Sequence, residues 1–233
     1  MRVLKFNLKG KTAFFKNPEV NSYFYFTYGN IHKPVLLGMF GAILGLNGYE
    51  AGYVDFPDYY KMLRDIKISV VPSSFNGYFP KKIQYFNNSV GYASQEQGGN
   101  LIIKEQWLED PSWTIYVALT DEISEELADM LLKNRCIYMP YLGKNDHPAT
   151  IEDVLLKEVK ESDKTERIHS LVPAHVAEFD WDEAGFKYEE YLPVALKAST
   201  NLYEMQKFIL TDAVVEFANE PVYSDGEKNI VFY

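Results

Sequence analysis

Cysteine is nearly absent from this chain of 233 residues, and Cys136 stands alone. A disulfide framework and a thiolate metal cage are both excluded. The composition fits a reducing compartment, and the expected location is cytoplasmic. Histidine is scarce too. His169 and His175 stand six apart without a partner at ligand spacing, so no metal site is expected. No GxGxxG follows a strand, no GxxxxGK[ST] occurs, and GxSxG is missing. No cofactor is expected. Long hydrophobic runs are lacking: the uncharged stretch 34–49 falls short of the roughly 20 residues that a membrane span needs. The opening MRVLKFNLKG alternates and carries lysines, so it reads as a strand and not as a signal peptide. No membrane contact, repeat or low-complexity tract is expected.

What is present belongs to a globular protein. Apolar residues make up 47% of the chain, enough to build a substantial core. The length suits one large domain or a domain with an appendage. The net charge is −10, which alone argues against a polyanionic partner. Its distribution is uneven. Residues 1–104 hold 12 Lys and Arg against 6 Asp and Glu, a net of +6. Residues 105–233 hold 11 against 27, a net of −16. The asymmetry suggests one face for a polyanion and another for solvent or a basic partner. Two ordinary surfaces compensating across the fold would look the same.

The most distinctive stretch is HKPVLLGMFGAILGLN, 32–47. Pro34 suits the first turn of a helix, and Asn47-Gly48 suits its end. A helix that is apolar all round is buried in protein. Gly38, Gly41 and Gly45 share one stripe, each costing about 1 kcal/mol relative to alanine. Close approach to a sheet, a neighbouring loop or a ligand would account for that stripe. Before this helix, 2–8 alternates as a half-buried strand. A loop then crowds Phe14, Phe15, Tyr23, Phe24, Tyr25, Phe26 and Tyr28 beside Lys11, Lys16 and Lys33, with Pro18 and Asn21 breaking regular structure. Rings interleaved with lysines can stack bases and hold phosphates, although several such rings can equally be core.

After the helix, 58–66 reads as a short helical turn and 66–71 as a strand. Residues 72–100 are rich in Gly, Pro and Asn, too long for an ordinary connection. They read as a projecting hairpin or finger, basic at Lys81-Lys82, with Tyr85, Phe86 and Tyr92 as a stacking surface or a subunit contact. Residues 101–108 return to strand. Residues 113–119 alternate clearly as another strand. Thr120-Asp121 caps a helix whose face is Ile123, Leu127, Met130 and Leu131. Met139 through Pro148 (MPYLGKNDHP) is a loop: Gly143 permits backbone approach, and Lys144, Asn145 and His147 offer donors to phosphate or base edges. Residues 151–160 read as strand or short helix, followed by a charged linker, 161–167. The tail offers strands at 168–172, 191–195, 208–210 and 230–233. The acidic 178–183 reads as a solvated loop or a site for a basic partner.

Metal-free RNA cleavage needs a base, an acid and a cation for the developing phosphorane. His32-Lys33 with Tyr28, or Lys144 with His147, could supply these.

With those residues in view, the chain resembles the CRISPR-associated family five (Cas-five, of the RAMP superfamily), in its type I-B branch. The resemblance rests on MRVLKFNLKG, the aromatic Lys-Asn-Pro loop, KPVLLGMFGAILGL, the insertion after the second strand and PYLGKNDHPA. It is best over 1–47 and 138–151, and element order extends it to about 1–160. It implies an α+β fold: a ferredoxin-like, RRM-related βαββαβ core over 1–160, a thumb hairpin inserted at about 73–100, and a small C-terminal β-rich extension over 161–233. It implies a non-catalytic subunit of a type I Cascade surveillance complex in antiviral defence. That subunit holds the 5′ handle of the crRNA beside the backbone and large subunits, in possible proximity to target DNA. One branch, type I-C, instead cuts pre-crRNA without metal, which makes a metal-independent endoribonuclease the alternative. Lys11, Phe14, Lys16, Asn21, Lys33, Lys81, Lys82, Tyr141, Gly143, Lys144, Asn145 and His147 are the implied RNA contacts. The PYLGKND loop has fewer glycines than the RNA-clamping loops of the superfamily, and the overall acidity departs from a free RNA binder.

Overall fold

A computed structural model of the chain describes residues 1–20, 24–49, 55–92, 95–162 and 166–233. Asn21 and Tyr23 lie outside the described residues, as do 50–54, 93–94 and 163–165. The architecture is mixed α and β, with mostly antiparallel sheets and few helices.

The first half follows the expected order. Strand β1 (Arg2–Lys9) and the short β2 (Thr12–Ala13) precede helix α1 (Lys33–Leu44) and helix α2 (Asp58–Leu63). Next come β3 (Ile68–Pro72), β4 (Lys81–Asn87), β5 (Ile102–Glu109), β6 (Ser112–Ala118), helix α3 (Glu122–Leu132) and β7 (Thr150–Glu158). Strands β3, β6, β1 and β7 form one sheet in that order, every neighbour antiparallel. The alternation in β1 decides its faces. Leu4, Phe6 and Leu8 point into the main core with the helices, while Val3 and Lys5 point to the opposite face.

Helix α1 is buried over most of its surface because it is enclosed on several sides. Phe40 meets Phe6 of the sheet edge-on at 6.4 Å, and α2 and α3 flank the helix. Its end lies earlier than expected. Gly45, not Asn47-Gly48, takes the left-handed conformation at φ 76°, and its N–H bonds back into the last turn. The glycine stripe answers to two neighbours: a Cβ on Gly45 would stand 3.0 Å from Ile137 of the loop after α3, and Gly41 meets helix α2. A Cβ on Gly41 would sit 2.6 Å from the Tyr59 Cβ of α2. Helix α3 is closed at its start by a capping box between Asp121 and Ser124.

The insertion is a hairpin of β4 and β5, paired from Lys81–Leu108 to Asn87–Ile102. Residues 101–108, expected as a separate return strand, are therefore the second arm. That arm also pairs with β2 at its base. Residues 151–160 resolve as strand, since β7 supplies the edge next to β1.

The remainder is β8 (Lys160–Glu161), β9 (Val172–Pro173), β10 (Ala177–Asp180), β11 (Lys187–Leu196), β12 (Tyr203–Thr211), β13 (Val214–Ala218), β14 (Tyr223–Ser224) and β15 (Asn229–Ile230). Strands β11, β12 and β9 form a sheet, and β11 lies against α1. Leu192, Phe208 and Leu210 join the main core, while Val172, Phe179 and Val222 belong to a second, smaller cluster. Two expectations shift here. Of the stretch 168–172 only Val172 lies in a strand, as the first residue of β9, because His169 bonds to Asn229 and Leu171 to Val70, on different elements. Residues 177–180 form strand β10 against β13, with Phe179 turned inward and Glu178 outward, so 178–183 is not simply a loop. At the end of the chain, Tyr233 exchanges both backbone hydrogen bonds with Ile68 at the β3 edge.

The second face of the four-stranded sheet is covered. Val3, Val71, Tyr116 and Ala118 pack there under Ile230 and Phe232. Asp225 fastens this cover. Its Oδ2 accepts from Lys5 at 2.8 Å and from the Tyr116 hydroxyl at 2.9 Å, and Lys157 lies at 3.4 Å. Among the described residues, no helix is long and apolar enough to cross a membrane. None of their His, Cys, Asp and Glu clusters could hold a metal ion.

Candidate nucleic-acid interface

Three segments meet beside the N-terminal end of α1: the aromatic stretch after β2, the hairpin arm β5, and loop 139–148. Their junction is a cleft of about 400 Å³ lined by Phe14, Lys16, Tyr25, His32, Glu105 and Lys144, with Gly143 and Tyr203 at its border. A second groove of about 700 Å³ continues along α1, shares Gly143 and Tyr203, and among the described residues is lined by none that is charged.

Loop 139–148 is held by its own sequence. Leu142 is fully buried as an apolar anchor. Its N–H donates to the His147 carbonyl at 2.8 Å, and its carbonyl accepts from Phe14 at 3.1 Å. The next residue must be glycine. Gly143 has φ 91°, and a Cβ there would lie 1.8 Å from the Phe14 carbonyl oxygen. This close passage sets Lys144 over the cleft, where its Nζ stands 5.6 Å from the Phe14 ring and 5.4 Å from the Phe86 ring.

Lys144 is not a free cation. It lies 3.1 Å from both carboxylate oxygens of Glu105 and 3.6 Å from Asp146. Glu105 is only 4% exposed, and its Oε2 also accepts from Trp107 Nε1 at 2.8 Å. Sequence reasoning missed Glu105. The available signal was an acid between Ile103 and Trp107 on one strand face. Tyr203 was equally invisible, since it arrives from the distant tail.

The expected contacts separate into groups. Phe14, Lys16, Gly143 and Lys144 are brought together in the cleft. Lys16 lies 4.1 Å from the centre of the Tyr25 ring. Tyr141 opens onto the uncharged groove, and Asn145 is exposed nearby on the same loop. His147 is turned inward. Its Nδ1 pairs with Thr12 Oγ1 at 2.6 Å, its ring meets Trp107 edge-on at 4.6 Å, and burial followed by the charge of Lys144 pulls its pKa down. Lys82 leans toward Glu109 at 3.6 Å, and Lys81 begins the same hairpin arm. Lys11 is exposed, and its carbonyl accepts from Asp110. Lys33 is not brought in: its ammonium donates to the Tyr233 carbonyl at 3.2 Å, and burial lowers its pKa to about 8.

His32 is the unusual group. It is 1% exposed, ringed edge-on by Phe15, Tyr28 and Tyr203, and neither ring nitrogen has a partner among the described residues. Burial pulls its pKa down to about 3, so the ring is neutral at ordinary pH.

No protein-family model and no curated protein sequence matches the chain. Solved structures do match. A chain of a CRISPR RNA-guided surveillance complex superimposes with a TM-score of 0.57 at 14% identity, over 92% of this chain and 91% of that one. A CRISPR protein from Archaeoglobus fulgidus gives 0.57 at 11% identity, over 99% and 98%. A chain of a type III-B Cmr-β complex, bound to cognate target RNA and AMPPnP, gives 0.51 at 11% identity, over 92% and 86%. This chain thus shares its fold with these CRISPR-associated proteins. The resemblance read from 1–47 and 138–151 points to the same group.

Proposed function

We propose that this chain is a Cas-five subunit of a type I-B Cascade complex, acting in the cytoplasm. It captures the 5′ handle of the crRNA and caps one end of the assembly without cutting RNA. Several features support this reading. The strand order β3, β6, β1, β7 supports a ferredoxin-like βαββαβ core built from split βαβ units. The β4–β5 hairpin, inserted between the second and third strands of that core, suits a thumb. The observation that carries the proposal is the cleft itself, where a glycine-bearing loop crosses an aromatic stretch with lysines and rings on its walls. Single-stranded RNA is held by this combination, its bases stacking on rings while cations and backbone amides take phosphates.

The non-catalytic part of the proposal draws on His32. A buried imidazole that stays uncharged above about pH 3 is a poor general acid, and its partner in sequence, Lys33, faces the chain's last residue instead. Two experiments test the whole. Crosslinking the assembled complex should attach Lys16 or Lys144 to the 5′ handle, beside the backbone and large subunits; attachment of the handle elsewhere would overturn the proposal. Incubating the pure protein with repeat RNA in EDTA should leave the RNA intact. Specific cleavage, lost on His147→Ala, would establish the endoribonuclease instead.

A further inference from the structure

The cleft contains buried polar groups whose hydrogen-bonding capacity is only partly used. Glu105 Oε1 accepts from Lys144 alone, while Oε2 accepts from both Lys144 and Trp107. A carboxylate has about four acceptor sites, so one remains open on Oε1. Lys144 has three N–H bonds to give and spends two on Glu105. His32, on the same cleft, leaves both ring nitrogens without a partner at 1% exposure. Buried polar groups are normally satisfied, so the open acceptor of Glu105 beside the cavity points to an absent occupant. Rings of Phe14, Tyr25 and Tyr203 supply much of the remaining wall, with Lys16 and Val35 beside them. Ring walls with polar groups grouped beside them suit one unstacked nucleobase.

We infer that this cleft is a single-base pocket that selects guanine through Glu105 and Lys144. The inference rests on the RNA-binding reading above and deepens it. The chemistry decides the base. Guanine carries two adjacent donors, N1–H and the N2 amine, followed by an acceptor, O6. A carboxylate beside an ammonium offers two acceptors followed by a donor, the complementary order. On binding, Lys144 transfers one hydrogen bond from Glu105 to O6, and the carboxylate receives the two guanine N–H groups in its place. Adenine and cytosine each offer a single amine next to an acceptor, and uracil has one N–H between two carbonyls. Each of these sets an acceptor against a carboxylate oxygen, or leaves that oxygen unpaired where water is excluded.

The test uses the intact chain and short oligouridylates carrying one central guanine, inosine, adenine or cytosine, or none. Fluorescence anisotropy should show the guanine oligomer binding at least about tenfold tighter than the adenine, cytosine and uridine ones. Inosine, which lacks the N2 amine, should fall between. Glu105→Gln should reduce the guanine preference to less than about twofold. Equal binding of all the oligomers by the wild-type chain overturns the pocket but leaves RNA binding standing. A guanine preference that discriminates no better than inosine, or that survives Glu105→Gln, also overturns it. Absence of binding to every oligomer overturns the RNA reading and the pocket together. The inosine comparison needs only the wild-type protein, so it holds even if the variant fails to fold.

Discussion

Single residues dominate two parts of this molecule. Asp225 is buried, and burial alone would raise its pKa. Hydrogen bonds from Lys5, from the backbone amides of Glu227 and Lys228 and from Tyr116 outweigh that and hold it well below the usual carboxylate range. A depressed folded pKa stabilises the native state above the unfolded value near 4, and that stabilisation is lost as pH falls below it. Asp225→Asn should therefore cost about 3 kcal/mol at pH 7, read from urea melts, because Lys5 and Lys157 lose their counter-charge. His32 acts in the same direction for a different reason. Between about pH 6.5 and 3 the unfolded chain binds a proton that the native ring refuses, so stability falls on acidification by up to about 1.4 kcal/mol per pH unit. Urea melts at pH 7 and pH 4 should show this loss reduced in His32→Phe relative to wild type; an identical loss in both would contradict it. Neither role was legible in the sequence. Both depend on which distant rings and lysines close around a side chain, and local pattern carries no record of that.

Elements were far more legible. The alternation of β1 and β6, the apolar α1 and the capped, amphipathic α3 all stood in local periodicity, which is why they matched to within a few residues. The two-residue strand β14 had no such pattern, since its pairing with β8 is imposed by a partner far along the chain. The second hairpin arm was misassigned because strand character is visible in sequence but strand partnership is not. The glycine stripe of α1 offers a clean test of packing against propensity. Gly38→Ala meets only the far edge of the Tyr59 ring at 3.9 Å, so it should stabilise the protein by up to about 1 kcal/mol through helix propensity. Gly41→Ala drives its Cβ into Tyr59 at 2.6 Å and should cost about 1–3 kcal/mol despite the same propensity gain. Thermal melts of the two variants should move in opposite directions. Gly143→Ala collides with the Phe14 backbone at an unfavourable φ. It should displace loop 139–148 and, on the proposed function, weaken RNA binding as well as stability.

At the scale of the whole molecule, charge is arranged for moderation. The basic first half suggested a polyanion face, but Lys144 is matched by Glu105 and Lys82 by Glu109 at the cleft and the hairpin. The halves that looked opposed in sequence interleave here, because Glu105 opens the acidic half and folds back onto the basic one. For the proposed RNA binder, log affinity plotted against log salt should have a slope of only about −1 to −2, as expected for two or three single-strand phosphate contacts. A slope steeper than about −4 for the isolated chain would contradict this arrangement.

The plug fastened by Asp225 over the sheet bears on how any long polymer meets this protein. An open β-platform lets a run of nucleotides lie across it and slide. Here the platform is stoppered by the chain's own tail, and what is left is a slot at the rim. On the proposed function, a slot would grip one end of an RNA and let the remainder run free, which makes an anchor and not a track.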